Sequence, residues 1–363
     1  MEILVQDKNT CEKLSEIKGK IALMLQERAQ IEGDNSKFST PSNYWTDFCS
    51  FFDYMLDLSP DSLAKLRLHT HHLTGDYYQT YYFHLDDSQS FLVKWGNLIR
   101  GIPEQYVLYE PEGGIGFPCS DGRLVSRDIH RFQSNMNTLY RQGILSNLQS
   151  AGDRNVILEI GAGYGGFAHH LSKLLVNSTY VIVDLPETLM FAAVYITQLN
   201  PNKRVFVYDP NDFKAEKGIP NPSEYDFMLF PNFRLDDLRQ VRFDFVINIA
   251  SLQEMRTDQA AKYLDFVVAT LKGTFYSYNH DAQPRNSEMG CLSDLICSRF
   301  EAKEILREHT NCTSGRARLR DFLVKILKHI AVFLKLLDCA PRTVEHLQGG
   351  GYREYVCTPK QQE

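Results

Sequence analysis

Val156-Ile-Leu-Glu159-Ile-Gly161-Ala-Gly163-Tyr-Gly165-Gly166-Phe-Ala168 is the stretch that decides the fold. A short apolar strand over 156–160 runs into a glycine turn, and a helix over 167–175 follows. Glycines at such a turn let the backbone bend sharply and approach a ligand that side chains would exclude. Their spacing fits two patterns. Gly161, Gly163 and Gly166 satisfy GxGxxG, and Gly161, Gly163 and Gly165 satisfy GxGxG. Glu159 adds a constraint, because a carboxylate at the end of an apolar strand is costly unless it meets a donor or a cation. A cationic ligand suits it, whereas a pyrophosphate would be repelled.

Outward from this motif, strands alternate with helices, the signature of a parallel sheet with crossover connections and of the α/β class. Further strands are predicted over 180–183, 205–208, 227–230, 243–248 and 274–278, with helices over 186–199 and 258–271. The second strand ends in Asp184, 21 residues beyond Gly163. An acidic residue there is placed to accept hydrogen bonds from a ribose diol, and it also suits the cap of the helix opening at Pro186.

The texture before residue 150 differs. Leu14, Ile17, Ile21 and Leu25 follow helical spacing, and two aromatic clusters come next: Tyr44, Trp45, Phe48, Phe51, Phe52 and Tyr54, then Tyr77, Tyr78, Tyr81, Tyr82 and Phe83. We therefore divide the chain into a mainly helical accessory region (1–150), an α/β core (151–310) and a C-terminal part (311–363). In that last part, a basic amphipathic helix is predicted over 316–337 and a final strand over 352–357. That helix, with Lys325, Lys328 and Lys335, suits packing, a homo-oligomer surface or a peripheral membrane contact, and its apolar run is too short and charged to cross a bilayer.

A chain of 363 residues with 43% hydrophobic and 23% charged residues has the composition of a globular protein. Its net charge of −6 argues against nucleic acid as a partner and leaves a small molecule. The 8 cysteines include no CxxC pair, which suits a reducing, cytoplasmic setting better than zinc or disulfides. The first ten residues carry charge and lack the apolar run of a signal peptide.

Four segments carry a specific resemblance: Leu158-Glu-Ile-Gly-Ala-Gly-Tyr-Gly-Gly166, Asp184-Leu-Pro-Glu187, Asn248-Ile-Ala-Ser251-Leu-Gln-Glu254-Met255 and Tyr276-Ser-Tyr-Asn279. The first two resemble the cofactor segments of class I S-adenosylmethionine-dependent methyltransferases, and all four together resemble the sugar O-methyltransferase family. That resemblance implies a Rossmann-like methyltransferase core with S-adenosylmethionine as cofactor and a sugar or other hydroxylated small molecule as acceptor. It places Glu159 near the methionine ammonium, Gly161, Ala162, Gly163, Tyr164 and Gly165 beneath the cofactor, and Asp184 and Leu185 at the ribose. Asn248 is expected against cofactor or substrate, and Asp209 or Phe230 near the adenine.

A sugar hydroxyl is a weak acid, so its methylation calls for a general base within hydrogen-bond reach, or a metal. The carboxyl ends of the strands over 243–248 and 274–278 put forward two candidates, Glu254 and His280, the latter beside Asp281. His69, His71 and His72 lack the spacing of a metal site, and Asp86-Asp87 and Asp236-Asp237 read equally as surface charge, so no metal ligands are assigned and a divalent ion is unsupported. Other readings stay open at this level: N- or C-methylation, an NAD-dependent oxidoreductase through GxGxxG, and a cofactor-binding protein without turnover.

Overall fold

Val156 to Ile160 and Tyr180 to Val183 are nearly continuous apolar runs, as strands covered on both faces must be. In the computed structural model, which describes residues 8–83, 85–211, 218–281, 286–307 and 352–360, they form the middle of an eight-stranded sheet. Its strands are β1 (Asn155–Ile160), β2 (Ser178–Asp184), β3 (Val205–Val207), β4 (Phe227–Pro231), β5 (Phe243–Ile249), β6 (Leu271–His280), β7 (Phe300–Arg307) and β8 (Tyr352–Pro359). The order across the sheet is β3-β4-β2-β1-β5-β6-β8-β7. Strands β1 to β6 pair in parallel, while β8 is antiparallel to both of its neighbours. This is the α/β Rossmann-like architecture read from the sequence. The order reverses on either side of β1, so the carboxyl ends of β2, β1 and β5 part there and open a crevice.

The helices that matter to the site are α1 (Lys8–Ala29), α2 (Asn43–Ser50), α3 (Leu85–Leu98), α4 (Arg127–Arg141), α5 (Gly166–Leu174), α6 (Pro186–Leu199), α7 (Thr257–Thr270) and α8 (Leu292–Arg299). The region before residue 150 is mainly helical, as expected. Most of its buried residues share the main core, however: Leu14, Ile17, Ile21 and Met24 of α1 join the same buried cluster as the sheet, and Tyr81, Ile115 and Phe117 form a small cluster apart. At roughly 1.5–3 kcal/mol for each buried aliphatic side chain, α1 alone contributes on the order of 10 kcal/mol of transfer free energy to that junction. Arg28 of α1 adds a two-pronged ion pair with Glu187 of α6, at 2.8 and 2.5 Å.

A buried ionic cluster ties the accessory region together beneath the crevice. The Arg67 guanidinium, 5% exposed, donates to Glu110 at 2.8 Å and to Asp128 at 2.9 Å, and lies over the Tyr164 ring. Of the two aromatic clusters, Phe48, Phe51, Tyr77 and Tyr82 are exposed among the described residues, while Phe52 and Tyr81 are core. The strand predicted at 205–208 pairs only with β4 and forms the sheet edge, so it extends the core outward. The basic helix predicted over 316–337 lies outside the described residues. Among the described residues, no helix is long and apolar enough to cross a membrane.

Candidate functional site

The glycine turn joins β1 to α5 with Gly161 at φ 72° and Gly163 at φ 58°, both in the left-handed region. A Cβ on Gly161 would lie 2.0 Å from Ser251 Oγ, so the turn after β1 and the turn after β5 are in contact. Nothing lies within 4 Å of a Cβ built on Gly163, which faces open space. That space is a cavity of roughly 1090 Å³, mouth included, at the reversal point of the sheet. Ala250 also lines it and holds φ 56°, a conformation that non-glycine residues adopt under strain and that concentrates at functional sites.

Three carboxyl groups line the cavity, and each is pushed upward in pKa by burial. Glu159, 2% exposed, accepts a hydrogen bond from Tyr180 Oη at 2.7 Å and is raised to about 7. Asp184 accepts from Gly163 N at 3.0 Å and from Leu185 N at 2.7 Å, so it locks the glycine turn to the end of β2, and it is raised to about 6. Glu254 follows β5 on a short 3-10 turn, accepts from Trp45 Nε1 at 3.1 Å, and is raised to about 8. Each rise has the same physical cause: an ionised carboxylate loses hydration here without a full countercharge.

The expected residues separate into two groups. Glu159, Gly161, Ala162, Gly163, Tyr164, Asp184, Leu185 and Glu254 all line the cavity. Of these, Tyr164 has its ring inside the protein, 2% exposed and edge-on to Tyr195 at 4.9 Å, so it supports the turn from below. Gly165 sits behind the turn, where a Cβ would approach Ile196 at 3.0 Å.

Asn248 and His280 do not line the cavity. Asn248 is 0% exposed, donates to Ile160 O at 2.7 Å and Ser251 Oγ at 2.8 Å, and accepts from Leu252 N and Asn279 Nδ2. With both amide hydrogens and the carbonyl engaged, it braces the β1 and β5 turns and has no valence left for a ligand. The His280 ring packs against Tyr352 at 3.7 Å between centroids, in a small separate depression. Asp281 turns to Arg353 at 3.2 Å and Ser293 N at 2.8 Å. Phe230 is fully buried, and neither it nor Asp209 reaches the cavity.

Among the lining residues that escape sequence reading are Trp45, Arg131 and Asn232. Asn232 follows β4 and donates to Phe38 O at 3.0 Å and Ser39 O at 3.4 Å, while its Oδ1 is buried without a partner. Its position just beyond a strand end was the available signal. Segment 37–45 crosses the mouth and is tied down at several points. Ser42 Oγ donates to Glu254 O at 2.6 Å, Gln259 Nε2 to Thr40 O at 2.8 Å, and Asn43 N to Glu288 at 2.8 Å. The histidine cluster is structural where described, with His69 Nδ1 3.0 Å from Tyr54 Oη, and no metal-holding group occurs among the described residues.

No family model and no curated protein matches the chain. Solved structures similar to it include a precorrin-6y C5,15-methyltransferase from Geobacter metallireducens, at 12% identity over 60% of this chain and 87% of that one, TM-score 0.31. The N-methyltransferase NodS from Bradyrhizobium japonicum, in complex with S-adenosyl-L-homocysteine, is similar at 17% identity over 48% and 80%, TM-score 0.29. A TehB-like SAM-dependent methyltransferase from Corynebacterium glutamicum is similar at 14% identity over 64% and 97%, TM-score 0.31.

Proposed function

We propose that this cavity binds S-adenosylmethionine and that the chain transfers its methyl group to a hydroxyl of a sugar or glycosylated small molecule. One observation carries the reading: the cavity is rich in acceptors and poor in cations. Glu159, Asp184 and Glu254 line it with carboxyls short of countercharge, and Asn232 adds a carbonyl without a partner. S-adenosylmethionine supplies what such walls lack: a sulfonium, an ammonium, a ribose diol and an adenine amino group. A dinucleotide would bring a pyrophosphate against three carboxyls, which disfavours the oxidoreductase reading.

The residues then take roles along the cavity. Asn232 Oδ1 receives the adenine amino group, and Asp184 keeps lone pairs for the ribose while it holds the glycine turn. Glu159 faces the ammonium. Glu254 in its ionised form is the base: a carboxyl whose pKa is held near 8 binds a proton far more strongly than an exposed one, its ionised fraction grows as pH rises toward 8, and Trp45 donates to its Oε2. With S-adenosylmethionine bound, its sulfonium would supply the methyl and leave as the thioether of S-adenosylhomocysteine, and ionised Glu254 would take the proton that the acceptor hydroxyl gives up. The bond from Trp45 to that carboxyl and the bond from Ser42 to the backbone carbonyl of the same residue hold Glu254 under the strap, away from water. His280, outside the cavity, is not given the role. A sugar acceptor rests on the resemblance of the segments at 248–255 and 276–279, where Asn248 and Asn279 position the Glu254 turn through their mutual bond.

Calorimetric titration with S-adenosylhomocysteine and, separately, NAD tests the cofactor. Binding of the former alone is expected, lost in Glu159→Ala and weakened in Asp184→Ala; retention in Glu159→Ala sinks the site assignment. Methyl transfer to a panel of sugars, with amines as the contrasting arm, then tests the acceptor.

A further inference from the structure

Arg131 is the only basic side chain lining the cavity among the described residues, and the roles above give it no task. It projects from α4 beside Phe132, whose ring packs 6.2 Å from Tyr164 and 5.7 Å from Phe167, so this part of α4 lies against the glycine turn. Burial pulls its pKa down and Asp128 does most to raise it, with Tyr352, Tyr164 and Glu254 adding in the same direction.

The protein uses little of this guanidinium's bonding capacity. One nitrogen donates to Asp128 Oδ1 at 3.0 Å. The other oxygen of Asp128 serves Arg67, which is held by Glu110 as well. Asp128 is 3% exposed, yet the Arg131 side chain is 35% exposed, and its Nε–H is buried without a partner. A planar fork with donors to spare matches a planar two-oxygen anion. A phosphate fits worse, since a dianion would sit among three carboxyls already short of countercharge.

We propose that Arg131 is the carboxylate-binding residue of this cavity, a proposal that rests on the S-adenosylmethionine reading above. Two sources present such a group: the amino-acid end of the cofactor, and an acidic acceptor such as a uronic acid. In both cases Arg131 fixes the ligand's orientation opposite Glu254.

The experiment uses the full chain as wild type, Arg131→Gln and Arg131→Lys. Each is titrated with S-adenosylhomocysteine and with 5′-methylthioadenosine, which keeps the nucleoside and thioether and lacks the amino-acid end. Glucuronate and glucose are then titrated onto each variant saturated with S-adenosylhomocysteine. If the cofactor supplies the carboxylate, R131Q weakens S-adenosylhomocysteine by roughly 10- to 100-fold, leaves methylthioadenosine unchanged, and R131K recovers part of the loss. If the acceptor supplies it, S-adenosylhomocysteine affinity holds, and glucuronate binds the wild type but not R131Q. The proposal is overturned if R131Q matches wild type for both carboxylate ligands. Equal weakening for methylthioadenosine also overturns it, because that is the mark of a general structural role. Absence of S-adenosylhomocysteine binding to the wild type refutes the cofactor reading itself, and the proposal with it, before any variant is compared.

Discussion

Replacing Glu254 with Gln should flatten the pH dependence of stability in the ligand-free protein. Burial raises this carboxyl from its ordinary 4.5 to about 8, so the folded chain holds the proton more tightly than the unfolded chain does. A raised carboxyl contributes stability that is fully present below 4.5 and is lost as pH rises through the folded value near 8. Between pH 5.5 and 8, at about 1.4 kcal/mol per pH unit, the loss is on the order of 3 kcal/mol. For a chain of 363 residues, at about 2.1 cal/mol/K of unfolding entropy per residue, that is roughly 4 °C in melting temperature. Gln keeps the shape and can still accept from Trp45 Nε1, but it cannot ionise. Glu159 and Asp184 contribute with the same sign to both proteins, so the difference between the two profiles isolates Glu254. Thermal melts of wild type and E254Q across this range are the assay. Wild type should lose several degrees more than the variant as pH rises. Profiles that fall in parallel would refute the claim that Glu254 is held protonated, and with it the argument for its basicity.

Other outcomes follow from the same geometry. Cofactor affinity should rise with pH through about 7, because Glu159 must ionise to face a cation and its pKa is raised to about 7; a flat calorimetric affinity between pH 6 and 8 contradicts that role. Gly161→Ala drives a Cβ to 2.0 Å from Ser251 Oγ at φ 72°, so S-adenosylhomocysteine binding should fall at least 10-fold, and unchanged binding would show that the two turns move freely. Arg67→Ala leaves Glu110 and Asp128 buried without their shared cation, a loss of roughly 3–5 kcal/mol in chemical denaturation, against which a loss below 1 kcal/mol would count.

The sheet was legible because its strands announce themselves: 156–160, 180–183 and 243–248 are apolar runs that only a doubly covered parallel sheet accommodates. Glu159, Asp184 and the glycines were legible for the converse reason, since each breaks its local pattern at a strand end. Asn248 misled because it also stands at a strand end. A polar residue there serves equally to satisfy backbone carbonyls, and only the three-dimensional count of its four bonds distinguishes brace from ligand contact. His280 follows the right strand, but β8 pairs with β6 from the far end of the chain and brings Tyr352 onto its ring. Trp45 and Arg131 were invisible for a related reason. The partner of Trp45 lies 209 residues away in sequence and the glycine turn beside Arg131 about 30, and nothing local in a helix tells a lining face from a packing face.

The strap at 37–45 means that the chamber is not a property of the α/β core alone. Of the lining residues, the glycine turn and Asp184 lie after residue 151, while the roof, the partner of Glu254 and the guanidinium of Arg131 come from before it, as do the α1 side chains that share the core of the sheet. The first 150 residues therefore shape what the chamber admits, and changes to its roof have to respect a core that both parts of the chain share. The roof is fastened to the core at three separate points, through Ser42, Thr40 and Asn43, so no single substitution among them releases the whole of 37–45.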